Sequence, residues 1–185
     1  LAGAASSNTA IGYKAGFQST TASGSVFLGQ SAGETVTTGN QNIGIGLAAM
    51  NGGTTTGDRN IAIGVSAGNA LTSGINNILM GTDAGGAITT GGSNVIIGTE
   101  AGDGFTANTT MTLIGYQAGT TINSNNANGT VAVGYLSLGA LTGGATNTAL
   151  GSKSGDAATT ASGSVFLGFD AGGTVTTGNQ NIAIG

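Results

Sequence analysis

The chain has 185 residues, with 38 Gly, no Pro, Cys, His or Trp, and a net charge of −4. Only 5% of it is charged against about 25% in an ordinary soluble domain, so no basic surface is available for nucleic acid. Without His or Cys it lacks the usual transition-metal ligands, general base and disulfide frame, and no apolar run nears the roughly 20 residues of a membrane helix.

Taken in chain order, the predicted elements are copies of one short motif. They read NTAIG at 8–12, SVFLG at 25–29, NIGIG at 42–46, NIAIG at 60–64, NILMG at 77–81 and NVIIG at 94–98. MTLIG at 111–115, TVAVG at 130–134, NTALG at 147–151, SVFLG at 164–168 and NIAIG at 181–185 follow. With the closing Gly as position 0, the spacings are 17, 17, 18, 17, 17, 17, 19, 17, 17 and 17. A longer period lies on top, since ASGSVFLG and TVTTGNQNI each return after 139 residues, or eight short repeats. Self-similarity of this kind marks a stacked array.

Each position in the repeat has a character. Position −1 is always apolar, and −3 is Val, Ile or Thr throughout. Position +3 is Ala and +4 is Gly in eight of ten complete copies, and +7 is mostly apolar (Val36, Leu71, Ile88, Phe105, Ile122, Leu141, Val175). Thr recurs at +8, as at Thr20, Thr37, Thr72, Thr89 and Thr106. Dense Gly, β-branched residues and the lack of a 3.6 period exclude helix. The pattern predicts an all-β parallel β-solenoid over residues 1–185, a single array of about eleven coils with one coil per ~17-residue repeat. Two short strands per coil are expected, and at about 4.8 Å per coil the rod is on the order of 50 Å long.

In this reading −3, −1 and +7 form the core, because −3 and −1 share one face of a strand. Position −2 then points outward. It carries no charge and no hydroxyl, and holds Phe27, Leu79, Ile96, Leu113 and Phe166. An apolar stripe on the outside of a rod reads as an oligomer interface. Asn at −4 (Asn8, Asn42, Asn60, Asn77, Asn94, Asn147, Asn181) is either a hydrogen-bonded ladder or a residue tolerated by the turn. The extra residues near Asn51–Thr54 and Asn123–Gly129 are expected to leave as surface loops, with Thr55 and Val131 back in their columns.

Chemistry-bearing groups are sparse. Asp83 and Glu100 share position +2 in adjacent coils, a spacing of roughly 5 Å that would suit a carboxylate pair, but the same corner carries Lys14 and Lys153 elsewhere. The calcium-roll pattern is absent. Tyr13, Tyr116 and Tyr135, all at +1, could stack on sugars, and the Thr column invites comparison with ice-binding solenoids. Asn108 and Asn128 begin N-x-T sequons. No catalytic, cofactor-binding or metal-ligating set emerges.

NTAIG, NIGIG and NIAIG resemble the head repeats of trimeric autotransporter adhesins, while IGYQAG at 114–119 and NTAIGYKAG at 8–16 are also similar to repeats of phage tail fibres. The resemblance implies a left-handed parallel β-roll, a homotrimer and a non-enzymatic, fibre-forming role in an extracellular surface protein, or alternatively in a virion tail fibre. Host surface or glycan would then be met through other parts of the fibre, and no membrane contact is expected of this segment. Neither end of the chain looks like a cap, so coils are expected to continue beyond it.

Overall fold

A computed structural model describes residues 5–185. Its one regular feature is an 11-stranded sheet in which neighbours in sequence are neighbours in space. The strands are β1 (Thr9–Ile11), β2 (Val26–Leu28), β3 (Ile43–Ile45), β4 (Ile61–Ile63), β5 (Ile78–Met80) and β6 (Val95–Ile97). They continue as β7 (Thr112–Ile114), β8 (Val131–Val133), β9 (Thr148–Leu150), β10 (Val165–Leu167) and β11 (Ile182–Ile184). Every pairing is parallel, and each keeps the repeat in phase: Ile78 faces Val95, Leu79 faces Ile96 and Met80 faces Ile97. Each turn of about 17 residues thus lays one strand on the last, which makes a parallel β-solenoid of about ten turns. No helix occurs among the described residues.

One strand per coil replaces the expected two. The opposite wall, near +7 and +8, is held by coil-to-coil hydrogen bonds that converge on one carbonyl per coil, such as Thr72 N to Thr89 O (2.9 Å) and Thr89 N to Thr106 O (2.9 Å). Threonine hydroxyls reinforce that wall: Thr72, Thr142 and Thr159 each donate to the carbonyl one coil on, at 3.0, 3.0 and 2.9 Å. Only Val36 and Thr55 form an isolated parallel bridge there. Turns at both ends of the wall prevent it from extending into a strand.

The core is a correction to the sequence reading. Phe27, Leu79, Ile96, Leu113 and Phe166, expected on the outside at −2, are each 0% exposed. Positions −3 and −1, expected inside, point out. Alternation along a three-residue strand assigns −3 and −1 to one face and −2 to the other, but it does not say which face is inside. Interior volume decides. A coil of 17 residues closes around one −2 and one +7 side chain per level, and −2 is the column whose size is matched by its neighbours.

That matching is visible at +4. Where −2 is large, +4 is Gly: a Cβ on Gly68 would lie 2.7 Å from Leu79 and 2.9 Å from Leu71, and one on Gly85 2.8 Å from Leu79 and 2.9 Å from Ile88. Where −2 is small, as at Gly44, Ala62, Ala132 and Ala149, the two exceptions at +4 appear. Met50 and Leu138 stand there instead of Gly, and both are fully buried. They fill the volume that small −2 residues leave, as close packing requires. The +7 column follows suit, with Ser19 and Ala158 ahead of the two Phe of −2. Ala at +3 is buried in every coil after the first, and its two replacements, Ser137 and Ser154, hydrogen-bond each other at 3.1 Å.

Both irregular spacings are absorbed locally. Val131 pairs with Thr112 on one side and Val131 itself leads to Thr148 on the other, in its expected column. Thr55 bridges Val36 and is fully buried. Asn123, Asn125, Asn126 and Asn128 are exposed on the wider turn. The expectation that the N-terminal end has no cap falls partly on residues 1–4, outside the described residues.

Candidate self-association interface

The outward columns of the sheet are apolar over its whole length. At −1 stand Ile11, Leu28, Ile45, Ile63, Met80, Ile97, Ile114, Val133, Leu150, Leu167 and Ile184, and at −3 the Val, Ile and Thr residues beside them. In the central strands these side chains are half-buried by each other. Toward the ends their exposure rises, to 48% at Leu150 and 61% at Ile11. Position +1 widens the strip with Leu47, Val65, Tyr116 and Tyr135, all exposed. No residue of −3 or −1 is charged in any coil.

A strip eleven strands long and three residues wide measures roughly 50 Å by 10 Å. At about 500 Å², before the +1 column is added, it already matches the largest single patch of a typical monomer. Its regularity is as telling as its area. β-branched residues repeat at the strand spacing, so the face is a flat ribbed surface with the same relief at every level.

The five −2 residues named from the sequence do not contribute to this face; the fold seals them inside one chain. The residues that form it were visible in the sequence, but they were assigned to the core. The missed signal was the covariation of −2 with +4, large with Gly and small with Met50 or Leu138, which marks −2 as the volume-limited column.

The remaining candidates are drawn into the scaffold. Asn at −4 forms a buried ladder: Asn60, Asn77 and Asn94 each donate Nδ2 to the Oδ1 of the preceding Asn, at 3.2, 3.0 and 2.9 Å. Each also donates to a carbonyl across the coil, namely Gly74, Gly91 and Asn108. Its Oδ1 further accepts the backbone N–H of the next member, as from Asn77 to Asn60 at 3.0 Å. The ladder reading is therefore the correct one of the two. The rings of Tyr116 and Tyr135 stack on each other, centroids 5.7 Å apart and 11° from parallel, while Tyr13 lies 5.8 Å under the Lys14 ammonium. Asn108 of the first sequon is buried, with its amide donated to Ser124 O at 2.8 Å.

Asp83 and Glu100 gather with Asp103 at one corner. Burial, and then the neighbouring charges of Asp83 and Glu100, raise the Asp103 carboxyl above its ordinary range. The Glu100 carboxylate accepts a 2.6 Å hydrogen bond from Gln117 Nε2 one coil on. Lys14 and Glu34 pair at 3.0 Å on the surface, which raises the lysine and lowers the glutamate pKa.

Comparison of the chain with protein-family models, with curated proteins and with solved structures returned no match.

Proposed function

We propose that this chain is a structural, fibre-forming segment that associates with parallel copies of itself through the −3/−1 face, as a homotrimer. The observation that carries the reading is the uncharged apolar face repeating at every coil. Only a partner with the same axial repeat can match it at all eleven levels, and another copy of this chain, running parallel and in register, has that repeat by construction. An irregular partner would leave apolar ribs against water at most levels. Burial of one Ile- or Val-sized side chain contributes roughly 1.5–3 kcal/mol, and the face offers two per coil per chain except at Thr9, Thr112 and Thr148, where it offers one. Three-fold symmetry is the arrangement that the resemblance to adhesin heads implies.

The role that follows is mechanical. Coil-to-coil hydrogen bonds set the axial spacing, the −2 and +7 columns hold each coil shut, and association along the sheet stiffens the rod. Threonine hydroxyls are spent on the same coil-to-coil bonds, which favours a shaft over an ice-ordering surface. The segment is read as extracellular and surface-displayed, in an adhesin-like protein or a phage tail fibre, without catalytic activity.

The absence of Cys makes a direct test simple. Ile45→Cys, near one end of the face, should cross-link to the same residue of a neighbouring chain under mild oxidation, with the third chain of a trimer left reduced. Failure to cross-link at Ile45 while an Ile45→Cys and Leu150→Cys mixture links rapidly would show antiparallel packing and contradict the proposal. Antibody labelling of intact cells or virions tests the surface location.

A further inference from the structure

The larger of the two irregularities, the 19-residue coil, adds two residues on the far wall and creates a groove. Position +7 meets −2 from the opposite side of the core, so residues +8 to +11 lie across the coil from the self-association face. There, Asn123, Ser124 and Asn126 of the wide coil stand beside Thr142, Thr160 and Ser162 of the next two coils. They line an open depression of about 510 Å³, a volume within the 300–1,000 Å³ of small-molecule sites. Gly143 and Gly144 complete its lining.

The chemistry of the lining is uniform. Every group is neutral, and all the side chains are amides or hydroxyls apart from Ala145. Threonines at +8 elsewhere use their hydroxyls for coil-to-coil bonds, as Thr142 does here by donating to Thr159 O at 3.0 Å. In the groove Asn123 stands at +8 instead and makes no such bond. The Ser124 hydroxyl is buried with no hydrogen-bond partner, and no bond within the fold engages the side-chain polar groups of Asn123, Asn126, Thr160 or Ser162. The Asn ladder also fails at this level, since Met111 and Thr130 occupy its column and the Thr130 hydroxyl and Asn108 Oδ1 are left without partners.

We propose that this groove binds a neutral carbohydrate. A carboxamide presents two donors and an acceptor on adjacent atoms, and a hydroxyl presents both, which is the complement of a vicinal diol. A phosphate or acidic sugar would find no cation in the lining. Gly143 and Gly144 in the lining let a flat pyranose approach the backbone. The site stands independently of self-association, because the two surfaces lie on opposite walls of each coil.

Saturation-transfer NMR on the intact 185-residue protein tests it, with glucose, galactose, N-acetylglucosamine, lactose and maltose as neutral probes and sialic acid as the charged one. At least one neutral sugar should receive saturation, and the Asn123→Ala/Asn126→Ala variant should bind it at least tenfold more weakly. Both residues are exposed and unbonded through their side chains, so circular dichroism and oligomer mass should stay unchanged. A second variant, Ser162→Leu, should block the groove with the same loss. No transfer from any neutral sugar, equal transfer in both variants, or transfer from sialic acid alone would each overturn the proposal.

Discussion

Lys14, Ser31, Ala48, Ser66, Asp83, Glu100, Gln117, Leu136, Lys153 and Asp170 have nothing in common as side chains, yet all adopt φ between 51° and 60°. They occupy +2, where the chain turns out of the strand in every complete coil. Left-handed backbone costs an L-residue roughly 1–2 kcal/mol, and here it is repeated ten times and held by the stacking of identical turns. The glycines at +4 share the conformation but are needed for space as well. Two predictions separate these cases. Ser66→Gly should raise the unfolding midpoint slightly, by a net of about 0.5–1 kcal/mol once the added freedom of the unfolded chain is subtracted. Gly68→Ala places a methyl against Leu79 and Leu71 and should cost about 1–3 kcal/mol. Thermal melts of the two variants read both effects.

Within a coil, the period was legible because Gly at 0 is enforced by contact: a Cβ on Gly29 would lie 2.6 Å from the Gly46 carbonyl oxygen of the next turn. Which columns share a face was legible too, from strand alternation. The choice of inner face was not, because both sets are apolar and hydrophobicity alone cannot rank them; only the size match of Met50 and Leu138 with small −2 neighbours does so. The Asn ladder was half legible, since residue type allows it but geometry decides. Asn77→Ala should remove the acceptor for Asn94 N and Nδ2 and the donor to Gly91 O. Leaving such buried groups unpaired costs about 1–3 kcal/mol each, so a loss of at least about 3 kcal/mol is expected in denaturant titration. At the acidic corner, Asp103 favours its protonated form when folded. Stability should therefore fall as pH rises from its ordinary value of 3.8 through the raised one, and Asp103→Asn should flatten that part of the pH profile. Glu34, lowered by Lys14, works in the opposite sense: its contribution is present above the ordinary glutamate value and lost as pH falls below it.

The molecule as a whole is a rod whose two walls have different chemistry. One is a sheet face with an unbroken apolar rib at −1 and an uncharged one at −3; the other carries threonine ladders and the polar groove of the wide coil. The core of a single chain is narrow, one side chain per level from each wall, so lateral association adds burial that the coil cannot provide for itself. The same argument predicts different fates for two superficially similar variants. Leu79→Asp/Ile96→Asp/Leu113→Asp places charges in the sealed −2 column and should prevent folding, because an unpaired buried carboxylate is not tolerated. Ile63→Asp/Ile97→Asp/Ile114→Asp places them on the outer ribs and should leave the coil intact.

Light scattering coupled to size exclusion tests this most directly. The unmodified chain should elute at three times the 17.4 kDa of one chain, and the Ile63→Asp/Ile97→Asp/Ile114→Asp variant at 17.4 kDa with an unchanged circular dichroism spectrum. A monomeric unmodified chain, or the same oligomer mass before and after the three substitutions, would contradict the assignment of the −3/−1 face.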